Sequence, residues 1–74
     1  MKNELEELFN SMSAIVQEKL KPVLENILER AESLDLMGPN DPDYEEEHEL
    51  IRKEVNKVKY LNDQWAIMNS KKNN

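Results

Sequence analysis

The sequence predicts an all-α protein, an antiparallel two-helix hairpin, on three observations. Apolar residues recur at helical spacing through residues 5–34, a second apolar stripe runs in heptads through residues 44–65, and Gly38-Pro39-Asn40-Asp41-Pro42 interrupts the pattern between them. Side chains three and four apart share a helix face, so a stripe advancing about 100° per residue marks an amphipathic helix. Nothing in the chain alternates polar and apolar residues as a half-buried strand would, and no internal repeat or low-complexity run is present.

The first helix is expected over about residues 3–36. Asn3 followed by Glu6 reads as an N-cap with its capping-box partner, and Glu4 and Glu7 put negative charge at the positive end of the helix dipole. Its apolar stripe comprises Leu5, Leu8, Phe9, Met12, Ile15, Val16, Leu20, Val23, Leu24, Ile27, Leu28, Ala31 and Leu34. Pro22 removes the hydrogen bond to the Glu18 carbonyl and must bend the helix. Because the stripe keeps its phase through Pro22 and the proline projects away from it, the expectation is one long helix bent at Pro22.

The turn is expected over residues 37–41, where Gly38 can take the left-handed position after a helix and Pro39 cannot continue it. Asp41 then reads as the next N-cap with Pro42 at the first helical position, opening a second helix over about residues 42–69. There Tyr44, Ile51, Val58 and Trp65 repeat every seven residues, with His48, Val55, Asn62 and Asn69 four residues after each, as in a coiled-coil seam. Leu50, Leu61 and Met68 widen the stripe on one side. Residues 70–74, ending Lys71-Lys72-Asn73-Asn74, have no apolar content and are expected to fray. The whole chain, 1–74, reads as a single domain.

Folding at the turn sets residues whose numbers sum to about 79 opposite one another. Ile51 then faces Ile27, Val55 faces Val23 and Leu24, Trp65 meets Met12, and Glu4, Glu6 and Glu7 come near Lys71 and Lys72. The expected core is Met12, Leu20, Val23, Ile27, Ile51, Val55, Val58 and Trp65. Asn62 and Lys19 fall at one height and form a polar layer, which either fixes register or meets water at the Pro22 bend.

Seventy-four residues without a cysteine have no disulfide or thiolate metal site to reinforce a small core. The apolar face of the first helix spans roughly 220°, and one neighbouring helix covers little more than about 100° of it. A homodimeric four-helix bundle, or a protein target, is therefore expected to cover the rest, through Ile15, Leu24 and Leu28 on the first helix and Leu61 and Met68 on the second.

The formal charge of −6 disfavours a phosphate backbone as a direct partner. No run approaches the roughly 18 apolar residues of a membrane span, and no apolar signal core opens the sequence, so a cytoplasmic location is expected. Nine Asn and eight Lys point to an AT-rich genome, such as that of a low-GC bacterium or its phage.

Asp41, Asp43, Glu45, Glu46, Glu47 and Glu49 form an acidic surface with no Lys or Arg among them. Glu45 and His48 have the Glu-x-x-His spacing of half a ferritin-like di-iron site, but a complete site needs facing glutamates. Glu29 and Glu32 are the only acids at a suitable height, and neither is central to its stripe, so no metal or cofactor is expected. His48 is the single histidine and lies far from Ser11, Ser13, Ser33 and Ser70 in the hairpin, which leaves no catalytic triad. With Gly38 the single glycine there is no phosphate-binding loop. The chain reads as a non-enzyme.

The leading functional expectation is a protein-interaction module, a small bacterial or phage regulator or inhibitor that docks its helical apolar face on a target. The alternative from a different class is a nucleic-acid mimic, whose acidic tip from Asp41 to Glu49 occupies a basic DNA-binding cleft. In size and dimer form the chain also resembles the plasmid copy-number regulator Rop, an RNA-binding bundle, although Lys53, Lys57 and Lys59 make a sparse basic stripe. Leu36-Met37-Gly38 resembles the Trp-x-Gly turn of secreted WXG-type hairpins; Tyr60 precedes Asp63 by three residues where that family's tail signal has four. The Ser-Gln-x-x-x-Leu-Asp motif of sporulation-type aspartyl-phosphate phosphatases has no counterpart.

Overall fold

Two interruptions, a serine-flanked one at Ser11–Ser13 and a proline-bearing one at Leu20–Pro22, divide the first 37 residues into three helices. The computed structural model describes the backbone of residues 1–72 and the side-chain surroundings of residues 1–68. Its elements are α1 (Lys2–Asn10), α2 (Ala14–Lys19), α3 (Lys21–Met37) and α4 (Tyr44–Lys72), with no strand among the described residues. The all-helical expectation holds. The single first helix over residues 3–36 is corrected to three.

The first interruption is made by short polar side chains that satisfy the backbone outside a helix. The Ser11 hydroxyl donates to the Leu8 carbonyl at 2.6 Å, and the Gln17 amide donates to the carbonyls of Met12 at 2.8 Å and Asn10 at 3.3 Å. Ser13 takes an extended conformation (φ −54°, ψ 136°), and its backbone N–H donates to the Asn62 side-chain oxygen on α4 at 3.1 Å. Serine and asparagine compete with helical backbone bonds in this way. Asn62 thus anchors the turn between α1 and α2, while Lys19 is exposed.

Asn62→Ala leaves the half-buried Ser13 N–H without an acceptor and is expected to cost about 1–2 kcal/mol. Asn62→Asp retains an acceptor and is expected to keep most of that stability. Denaturant midpoints of the two variants check this; equal losses would show that the Asn62 contact does not hold the turn.

The second interruption is where proline chemistry demands it. Leu20 (φ −101°, ψ 11°) closes α2 by donating its N–H to the Val16 carbonyl at 2.9 Å, and Pro22 lies in the first turn of α3. A missing N–H costs nothing there, because first-turn N–H groups have no intrahelical acceptor. The expected bend is a helix restart.

The reversal at Ser11–Ser13 sends α1 back along α3. The Met1 ammonium reaches Asp35 at 3.2 Å, the Lys2 N–H donates to the same carboxylate at 3.1 Å, and Lys2 Nζ lies 3.3 Å from Glu32. The Lys2 backbone hydrogen bond first, and then the Met1 ammonium, hold the Asp35 carboxyl below its ordinary pKa. Helix α3 packs on all three other helices, and α2 packs on both α3 and α4. Arg30 on α3 bridges Glu54 at 2.9 Å and Glu47 at 3.6 Å on α4, each half-exposed pair worth at most about 1 kcal/mol.

Between α3 and α4, Gly38 adopts φ 82°, ψ 156°, a region open to glycine, and donates its N–H to the Leu34 carbonyl at 3.4 Å. The Asp41 carboxylate accepts from the Asp43 N–H at 2.9 Å in a turn just ahead of α4, whose first helical bond runs from the Glu47 N–H to the Asp43 carbonyl at 3.0 Å, so the N-cap expected at Asp41 is corrected to Asp43. Helix α4 begins at Tyr44 rather than at residue 42 and runs to Lys72, past the expected end at residue 69. Residues 73–74 lie outside the described residues, as do the side chains from residue 69 onward, and with them the seam position expected of Asn69 and the pairing of Lys71 and Lys72 with Glu4, Glu6 and Glu7.

The core consists of Leu5, Phe9, Met12, Val16, Leu24, Ile27, Ala31, Leu34, Ile51, Val55 and Val58. Met12, Ile27, Ile51, Val55 and Val58 are where the sequence predicts them, and Leu20 and Trp65 pack on this core partly buried. Val23 is 45% exposed, which corrects its assignment to the core. Docking of α1 on α3 centres the buried face of α3 on the line from Leu24 to Leu34, and Val23 lies about 60° round the helix from that centre. No helix among the described residues is long and apolar enough to cross a membrane.

Candidate interaction surface

Helix α4 has 29 residues and α3 has 17, so at about 1.5 Å per residue α4 is longer by roughly 18 Å. One neighbour cannot cover it. Toward its C-terminal half the support comes from α2, where Val16, Lys19 and Leu20 with Leu61 and Trp65 line a cleft of about 190 Å³. The indole N–H of Trp65 is buried and has no hydrogen-bond partner among the described residues. An unmet donor of this kind costs about 1–3 kcal/mol.

Ile51, Val55, Val58 and the half-buried Asn62 and Trp65 turn one face of α4 inward. The next face round the helix carries three large apolar side chains open to solvent: Leu50 is 41% exposed, Leu61 49% and Met68 61%. At 100° per residue these three fall within about 20° of one line, with Lys57 beside them. Exposed Tyr60 and Ile67 lie farther round.

The residues expected at a partner interface divide into two groups. Leu24 is buried in the chain's own core, and Ile15 and Leu28 are partly buried against it. A two-helix arrangement leaves Ile15 open on one flank of the first helix and Leu24 with Leu28 on the other; α1 instead folds onto the Leu24–Leu28 flank of α3 and Ile15, on α2, packs against the core, which removes the premise for an interface there. Leu61 and Met68 are open, and Leu50 and Tyr60 extend their surface. The exposure of Leu50 was within reach of the sequence, because it lies on the line of Leu61 and Met68 outside the heptad seam.

The acidic surface is also divided. Asp43, Glu45, Glu46 and Glu49 are exposed, Glu49 with Arg52 at 3.9 Å, whereas Asp41 accepts from the Asp43 N–H and Glu47 pairs with Arg30. His48 lies against Tyr44 with ring centroids 6.0 Å apart. Of the glutamates considered as its partners, Glu32 is engaged by Lys2 and Glu29 is exposed. Among the described residues, no group of three or more His, Asp or Glu is placed to hold a metal ion.

No protein-family model matches the chain, and no curated protein or solved structure shows significant similarity to it.

Proposed function

We propose that this chain is a non-enzymatic protein-interaction module, a small regulator or inhibitor that docks through the outer apolar face of α4. One observation carries the reading. Leu50, Leu61 and Met68 stand exposed along one line of a helix longer than the helices that support it. Large apolar side chains exposed in line on one helix face, with charged residues among them, present anchors that a groove or another helix can recognise. The homodimer expected from the sequence belongs to this reading, with Ile15, Leu24 and Leu28 removed from its surface and Leu61 and Met68 on α4 kept.

A second reading keeps the exposed carboxylates of Asp43, Glu45, Glu46 and Glu49 as a nucleic-acid mimic for a basic cleft. The two separate by salt, because charge contacts are screened over about 3 Å at 1 M salt while apolar burial persists. Wild-type protein, Leu61→Glu/Met68→Glu and Glu45→Gln/Glu46→Gln/Glu49→Gln are to be used as bait in bacterial lysate at low and high salt, with helicity checked by circular dichroism. The α4 variant is expected to lose the captured protein, the tip variant to keep it, and capture to survive high salt. Loss in the tip variant, abolished by salt in the wild type, would establish the mimic instead.

A further inference from the structure

We infer that a second copy of this chain occupies the outer face of α4, with the two α4 helices antiparallel and Leu50 of each copy against Met68 of the other. The inference rests on the docking reading above and names its partner.

The first argument is the charge distribution along α4. From Tyr44 to Glu54 the helix carries five acids and two bases, and from Val55 to Lys72 it carries four bases and one acid. A parallel pair would set acid against acid and base against base, which is destabilising, whereas an antiparallel pair sets each half against its opposite. The two helix dipoles then also oppose one another.

The second argument is the spacing of the exposed stripe. Leu50 and Met68 each lie nine residues from Lys59, and Lys57 and Leu61 each lie two residues from it. A two-fold axis at the level of Lys59 therefore exchanges the two ends of the stripe, Leu50 with Met68, and brings Leu61 to Lys57 and Glu54 to Gln64. An isologous interface requires this self-complementarity, and a surface shaped for a different protein does not. The Lys57 methylenes cover Leu61 while the ammonium stays in water. Because Lys59 lies within one residue of the midpoint of α4, the helices overlap along nearly their whole length, and the seam from Leu50 to Met68 is about 27 Å long.

The chain contains no cysteine, so single cysteines report the pairing directly. Leu50→Cys and Met68→Cys are both at exposed positions, and within one copy they are about 27 Å apart on one helix, too far for a disulfide. Facing positions on helices about 8–10 Å apart bring their Cα atoms close to disulfide range. An equimolar mixture of the two variants, mildly oxidised, is expected to give a several-fold greater yield of covalent dimer than either variant alone, and light scattering is expected to give the dimer mass for the uncrosslinked wild type. Cross-linking of each variant with itself but not in the mixture would show parallel pairing and overturn the inference. A wild-type monomer that forms no mixed disulfide would also overturn it. The lysate capture by the α4 face is a separate readout, so docking on another protein would stand or fall on its own.

Discussion

Phe9→Ala is expected to destabilise the protein by about 3–5 kcal/mol, the range for removing a buried aromatic ring from a packed core. At roughly 0.05–0.15 kcal/mol per residue, a chain of this length has about 4–11 kcal/mol of stability in total, so the variant should unfold at a much lower denaturant concentration. Phe9 is 4% exposed because α1 turns back at Ser11–Ser13 and inserts the ring beside Leu24 and Leu28 of α3. In a chain whose first helix continued straight to residue 36, Phe9 would face the region of residue 70, where Asn69, Ser70, Lys71 and Lys72 leave little more than Met68 to pack on it. Urea unfolding followed by far-UV circular dichroism separates the two arrangements. A loss below about 1 kcal/mol would mean that α1 is not docked on α3.

Ile27→Ala and Val23→Ala, two truncations four residues apart on α3, are expected to differ several-fold. Ile27 is fully buried between α3 and α4, and its loss should cost about 2–5 kcal/mol, with a cavity adding to the lost burial. Val23 is nearly half exposed, so its truncation should stay within about 0.5 kcal/mol, as for a surface position. The comparison reads the rotation of α3 about its own axis. Equal costs would place Val23 in the seam with Val55, as the two-helix pairing has it, and α1 would then have no flank on which to dock.

How much of this was legible in the sequence follows from the range over which each feature is decided. The Gly38 turn and a polar turn at Asp41 were readable because each depends on residues within a few positions of it: one backbone conformation open to glycine, one carboxylate two residues from the N–H it accepts. The face that α4 leaves open was readable in part, since Leu61 and Met68 lie outside the heptad seam. Leu24 and Leu28 were misplaced because the element that covers them was itself misread.

What the sequence by itself determined is therefore helical character, a turn opening at Gly38 and the inward face of α4, all set by periodicity and by backbone chemistry at single residues; the connection runs on to Asp43, so that α4 starts two residues past the expected helix start. Only the tertiary structure decided that the first 37 residues form three helices. Met12 is apolar and in phase with Phe9 and Val16, so a reversal through Ser11–Ser13 leaves the periodic pattern intact. The choice between continuing and turning rests on contacts from distant residues: Asn62 accepting the Ser13 N–H from 49 positions away, and Leu24 receiving Phe9 once α1 has turned. An amphipathic pattern records which side chains leave water. It does not record which of several apolar surfaces they meet, and that choice depends on hydrogen bonds and packing that exist only when the chain is folded.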